Sequence, residues 1–305
     1  MEQPKDLFEQ YIDTIPSGQM RINAKGMWKW AEPYLAEKGE DLLETAEEDF
    51  IGMLSDRRPI SPATVRGWIL MLRSFFTWCQ ATGKTDKNPA AGITYKDIDY
   101  SVGMRDVYWP NYLKLLNTLN QVWTPDEGLP VYPVTVFAWV GVPCAAAGIL
   151  RSQCVDLRNA VIAYEGQEIH LTPEMTDILT RYQAFSSAKR DNHLIMLRTY
   201  QSDAFLYRLA IQNRTASESS SKPVNAAYVL NMASQTLTSR HLCGYLKYRD
   251  LAKSGCLHHM YMMECEGYNC ESISEYGREI LKTPAAYPGD VALIYSAYKK
   301  AFDFK

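Results

Sequence analysis

The chain has 305 residues, of which 47% are hydrophobic, 12% aromatic and 22% charged; these are globular values that exclude a disordered or collagen-like chain and suit one large domain or two ordinary ones. A net charge of −3 gives no whole-chain sign of nucleic acid, and no run reaches the ~18 consecutive apolar residues of a membrane span. The acidic, polar start MEQPKDLFEQ is unlike a secretory or transit peptide, and seven cysteines, an odd number, fit a reducing cytosol better than a disulfide scaffold.

Residues 1–92 read as helical. Asp6–Ile15 forms a first helix and Lys25–Lys38 a second, with Gly39 as its C-cap. Thr45 opens a third, with Glu48 three residues on as a capping box. The fourth is the clearest. Ser61 is its N-cap and Pro62 takes the first helical position, where a missing N–H costs nothing. Val65, Trp68, Ile69, Leu72, Phe75, Phe76 and Cys79 recur at helical spacing, and Gly83 ends the helix.

Residues 90–108 lack helical periodicity and read as a linker. WPNYLKLLNTLNQVW, from Trp109, is an amphipathic helix, and VTVFAWVGVPCAAAGIL is a buried one. Ala160–Tyr164 and Glu168–Leu171, joined by Glu165-Gly166-Gln167, form a hairpin. Thr172-Pro173 opens a helix through Tyr182, and the remainder is mainly helical without an internal repeat.

Ser61-Pro-Ala-Thr-Val, Leu72-Arg-Ser-Phe-Phe-Thr-Trp, Gly83 and Asn88-Pro89 together resemble the last helix of the core-binding domain of tyrosine recombinases (phage integrases). Leu150-Arg151-Ser-Gln-Cys-Val155-Asp156-Leu157 resembles that family's "Leu-Arg-Trp-x-Asp-Val-Asp-Leu" box, and the hairpin and the Leu171-Thr-Pro helix follow in the family's order. The resemblance covers about residues 5–300 and is weak after Ser186. It implies a mainly α protein with a small β-sheet: a helical core-binding domain over 1–92, a linker over 93–108 and a catalytic-like α+β domain over 109–305.

The family's reaction needs a tyrosine nucleophile, two arginines to clamp a phosphoryl transition state, and lysine and histidine for proton transfer. The gapless register puts Pro143 at the first arginine and Ala146 at its supporting glutamate. Arg151 belongs to the later structural pair. The hairpin has Glu165 and Glu168 and no lysine, and Arg249-Asp250-Leu251-Ala252 stands for "His-x-Leu-Arg", so Arg249 takes the histidine place and Ala252 the arginine place. Arg278 replaces the later histidine. Tyr287 lies at the family's spacing for the nucleophile, while local context favours Tyr295 or Tyr298. Losing one transition-state donor costs ~10²–10³ in rate, so the expectation is a recombinase fold without recombinase chemistry.

The partner the resemblance implies is double-stranded DNA. Residues 1–100 hold 12 Lys/Arg against 16 Asp/Glu, with Arg66, Arg73, Lys84 and Lys87 as the candidate patch. Residues 204–258 hold seven basic residues, Arg208, Arg214, Lys222, Arg240, Lys247, Arg249 and Lys253, against Glu218 and Asp250. Cys256, His258, His259, Cys265 and Cys270 fall within fifteen residues but contain no Cys-x-x-Cys pair. The expectation is therefore no metal and no cofactor, with Cys256, His258, Cys265 and Cys270 as a minor zinc alternative. Neither a membrane nor a small-molecule substrate is expected. The apolar tail Val291–Phe304 suits either exchange between copies or packing within the chain. A cytoplasmic, nucleoid-associated protein of a mobile element or its host follows, with an active recombinase and a protein-interaction module as the rival readings.

Overall fold

The computed structural model describes residues 4–38, 42–125, 129–185, 187–189, 195–198, 203–207, 209–211, 223–244, 246–281 and 289–305. The described chain is mainly helical, with two small antiparallel sheets. It divides into two compact units: residues 1–105 with 292–305, and residues 106–291.

In the first unit, α1 (Pro4–Thr14), α2 (Gly18–Lys38), α3 (Glu47–Asp56) and α4 (Pro62–Ala81) enclose an aromatic core. Phe8 stacks on Trp28 at 4.4 Å, and Tyr11 meets the edge of Phe75 at 5.5 Å. Phe76 is wholly buried beside Phe50. Each such ring contributes about 1.5–3 kcal/mol on burial. The apolar spacing of α4 decides which face turns inward: Val65, Ile69, Leu72, Phe75, Phe76 and Cys79 are all buried. Pro62 stands at its start, and Gly83 at φ +68° closes it as Lys84 N–H donates to the Cys79 carbonyl at 2.9 Å.

Three details differ from the sequence expectation. Helix α2 begins seven residues earlier than Lys25, at Gly18. Helix α3 begins at Glu47 with Ala46 at the N-cap position, one residue later than the Thr45 cap that the sequence suggests, and Thr45 is buried. The stretch read as a linker buries Ile93, Ile98, Tyr100 and Met104 and carries α5 (Ser101–Val107), which at seven residues is too short to show a period.

The last helix, α13 (Gly289–Ala301), passes from one unit to the other within its own length. Its C-terminal part belongs to the first unit: Lys300 Nζ lies 2.8 Å from Asp99 Oδ2, and Arg105 Nε donates to the Ala301 carbonyl at 2.9 Å. Tyr298 is fully buried with Phe302 and Phe304 against its ring. The tail Ala292–Phe304 thus packs within its own chain.

In the second unit, α7 (Val131–Trp139) is buried at every one of its nine positions. Around it stand α6 (Tyr112–Leu119), α9 (Pro173–Ala184), α10 (Ala226–Ser239) and α11 (Tyr248–Cys265), with α12 (Cys270–Leu281) against α11. The apolar run 134–150 is not one helix. Gly141 at φ +86° and Pro143 break it, and a single turn, α8 (Cys144–Ala147), follows. Strands β1 (Val155–Asp156), β2 (Val161–Tyr164) and β3 (Gln167–His170) form one sheet in that order, with Ile162 opposite Ile169. The β2–β3 turn is the two residues Glu165 and Gly166, both at positive φ, which matches the twist of the strands. Strands β4 (Ser187–Lys189), β5 (Ile195–Arg198) and β6 (Leu209–Ile211) form a second sheet.

Candidate nucleic-acid interface

Helix α11 packs against α7. Gly255 lies so close to the Trp139 carbonyl that any Cβ there would collide with it. At the residue just before it, Ser254 Oγ donates to the Asp250 carbonyl at 2.8 Å and accepts from Trp109 N–H at 3.1 Å. At the helix start the buried Tyr248 phenol donates to the Val142 carbonyl at 2.6 Å. That bond joins the two boxes singled out in the sequence, because Val142 precedes Pro143 and Tyr248 precedes Arg249. Burial raises the Tyr248 phenol far above its ordinary pKa, and Cys144 and Tyr164 reinforce the shift. The point where the boxes meet is thus knit by uncharged groups: Tyr248, with the Cys144 thiol and the Tyr164 phenol as neighbours.

Pro143 is exposed and serves as the N-cap of α8, with Ala146 in the turn after it. Ala252 is one turn beyond Tyr248 on α11. None of the three side chains can donate to a phosphate. Arg151 is exposed, and its backbone bridges to Ala204. At the hairpin, Glu165 is exposed and accepts from the Tyr164 hydroxyl at 2.9 Å, while Glu168 is exposed on β3. Arg278 is exposed on α12, its Nε 3.4 Å from the Ser274 carbonyl. Its neighbour Gly277 packs against Met260, eleven residues along α11 from Arg249, or roughly 16 Å at the helical rise. These contacts fix Arg278 toward the far end of α11.

Of the candidate nucleophiles, Tyr287 lies outside the described residues. Tyr295 is half-buried, with the Lys299 ammonium 5.4 Å from its ring centre. Tyr298 is fully buried, and burial raises its phenol pKa, which disfavours the phenolate. Both group with the first unit, whereas Pro143, Arg249 and Ala252 belong to the second.

The basic candidates divide. Arg73 gives Nε to the Ala90 carbonyl at 3.0 Å and Nη2 to the Ile93 carbonyl at 2.6 Å. It braces the chain after α4, a role the sequence could not show because the acceptors are backbone atoms. Arg66 lies 4.7 Å from the centre of the Tyr95 ring. Lys84 and Lys87 are exposed beyond the end of α4. In the second unit Arg240 is the exposed C-cap of α10, and Lys247 and Arg249 are exposed at the start of α11, so the three flank one short connection. Lys253 is half-buried; burial, then Arg249, lowers its pKa, while Asp250 and Cys256 act the other way. Arg208, Arg214 and Lys222 lie outside the described residues.

Among the described residues no three His, Cys, Asp or Glu side chains converge as metal ligands. Cys256 is buried, with its thiol pushed up to about 12 by burial, whereas Cys265 and Cys270 are exposed. His258 rests against Trp139 at 5.9 Å, and burial lowers its pKa. Between Tyr228, Asn231, Leu246 and Tyr248 lies an open hollow of about 430 Å³. No helix among the described residues is long and apolar enough to cross a membrane.

The chain is similar to solved tyrosine recombinases. A transposon Tn1549 integrase in complex with a circular-intermediate DNA shares 12% identity at a TM-score of 0.39, over 98% of this chain and 95% of that one. XerA recombinase shares 11% at 0.42, over 98% and 97%. Lambda integrase, a dimer bound to a core site, shares 11% at 0.33, over 90% and 95%. No family profile and no curated protein matches the sequence.

Proposed function

We propose that this chain is a duplex-DNA-binding protein on the tyrosine-recombinase plan, without strand-cleavage chemistry, and that it clamps DNA in an architectural or regulatory role. One juxtaposition carries the reading. Where the family resemblance calls for a phosphate clamp, the chain has Pro143, Ala146 and Ala252 around the uncharged Tyr248–Val142 bond. Beside that junction, Arg240, Lys247 and Arg249 stand exposed around the α10–α11 connection. Charge suited to holding a DNA backbone is present beside the junction, and at Pro143, Ala146 and Ala252 no side chain offers charge to a phosphoryl transition state. Lys84 and Lys87 supply the contribution of the first unit. On this reading the protein acts in the cytoplasm, at the nucleoid, for a mobile element or its host chromosome.

Two measurements test it. Fluorescence anisotropy on a random-sequence duplex across a salt series should give a log K that falls steeply and linearly with log[salt]. Absence of binding at low salt would move the assignment to a protein-interaction module. Incubation with a nicked suicide substrate should yield no protein–DNA adduct, and recovery of a covalent tyrosine–DNA species would restore the active recombinase.

A further inference from the structure

Asp250 sits in the first turn of α11 and is only 6% exposed. Among the described residues its Oδ1, itself shielded from solvent, accepts no hydrogen bond. A buried carboxylate oxygen left without a donor is costly, so the local field draws in whatever cation can reach it. The cation that reaches it is Arg249, with Nε 3.6 Å from Oδ1, too far for a hydrogen bond and close enough for an ion pair. The Arg249 side chain is 73% exposed and so free to turn outward. The other groups facing the carboxylate do not replace it. Tyr108 is buried, and burial, then Asp250, raises its phenol pKa, with Arg249 opposing. Lys253 is half-buried, one turn further along. The turn carrying both residues is braced by the bonds from Trp109 to Ser254 and from Ser254 to the Asp250 carbonyl, so rotation of the exposed arginine is enough to part the pair.

We propose that Arg249 is a phosphodiester ligand held in reserve by Asp250: the buried carboxylate and a DNA phosphate compete for one guanidinium, and binding at this end of α11 requires the arginine to leave its internal partner. This deepens the DNA-binding reading and rests on it. Asp250 acts here as a positioning residue, setting how much of the Arg249 charge a phosphate can use.

A double-mutant cycle tests the competition, with affinity for a random-sequence duplex and melting temperature both measured on the full chain. Asp250→Asn keeps the shape and removes the competitor, so it should tighten DNA binding about two- to fivefold, the range of a partly exposed ion pair. Arg249→Ala should weaken binding and lower the salt slope by about one. In the Arg249→Ala background, Asp250→Asn should give much less tightening, because only general charge removal remains. Equal tightening in both backgrounds would overturn the competition while leaving DNA binding intact. Melting temperature supplies the readout that does not depend on DNA: Arg249→Ala should lower it, and Asp250→Asn in that background should restore it. No binding by the unaltered chain at low salt would overturn this inference and the DNA-binding reading together.

Discussion

In the first unit, Arg73 gives two of its nitrogens to backbone carbonyls, Arg105 gives Nε to a third, and Arg57 and Arg66 lie over the rings of Trp30 and Tyr95. In the second unit, Arg240, Lys247 and Arg249 stand exposed around one connection. Both regions contain arginines that the sequence marks as candidates for phosphate. The difference is what each guanidinium already holds. A donor committed to carbonyls by hydrogen bonds must abandon part-buried acceptors before it can meet a phosphate, whereas the 73% exposed Arg249 has only to leave an ion pair at 3.6 Å. The number of basic residues in a segment therefore overstates the charge that segment can offer DNA. The first unit, already acidic over residues 1–100, is poorer still once its braces are set aside.

The comparison breaks most visibly at Arg73. Arg73→Met removes both bonds and strands the carbonyls of Ala90 and Ile93. We expect a loss of about 2–3 kcal/mol in stability, read from the denaturant midpoint. Arg240→Met, at an exposed C-cap, should stay within about 0.5 kcal/mol. Equal shifts would mean that Arg73 is no brace. Conversely, Arg240→Gln, Lys247→Gln and Arg249→Gln together should lower the salt slope by about three and weaken duplex binding by at least about tenfold. An unchanged slope would show that the DNA path avoids α11. Tyr248→Phe sharpens the same contrast, because it removes a neutral bond from the same junction. It should cost about 1 kcal/mol through the unpaired Val142 carbonyl and leave the salt slope where it was.

Local signals made parts of this architecture legible in the sequence. Helix α4 was readable from Pro62, the apolar spacing and Gly83 because each acts within a turn of its neighbour, while Ser61 stands at the N-cap without a side-chain cap bond. The hairpin was readable from a glycine between two β-rich runs, although only the backbone shows that the turn is two residues, Glu165 and Gly166. What escaped was either too short or too distant. Helix α5 has seven residues and β1 has two, neither long enough for a period. The run 134–150 is apolar throughout, so hydrophobicity alone could not show that Gly141 turns the chain. At the candidate site the uncharged residues Pro143, Ala146 and Ala252 were legible, but not the phenol that ties their two segments together. Tyr248 and Val142 are 106 residues apart, and the acceptor is a carbonyl that every residue carries. The division of α13 between the units, and the commitment of Arg73, were hidden for the same reason.

The smallest expected effect concerns the attachment of the tail. Burial by itself would raise the Asp99 carboxyl, but hydrogen bonds from Lys300 and Ser101 outweigh it and hold the group below the usual carboxylate range. A carboxyl depressed in the folded state stabilises above its unfolded pKa, about 3.9, and that contribution disappears as pH falls through the lower folded value. Both side chains are largely open to solvent, at 66% and 41%, which screens the pair and limits its contribution to less than about 1 kcal/mol. Asp99→Asn should therefore melt slightly below the unaltered chain at pH 7, with the gap shrinking at 1 M salt and closing as acid protonates the carboxyl in the folded state. A gap that widened on acidification would reverse the sign and make the Asp99 carboxylate a burden on the fold. The tail would then be held by Tyr298 and its aromatic neighbours, with the Arg105–Ala301 bond, and the ion pair would be incidental.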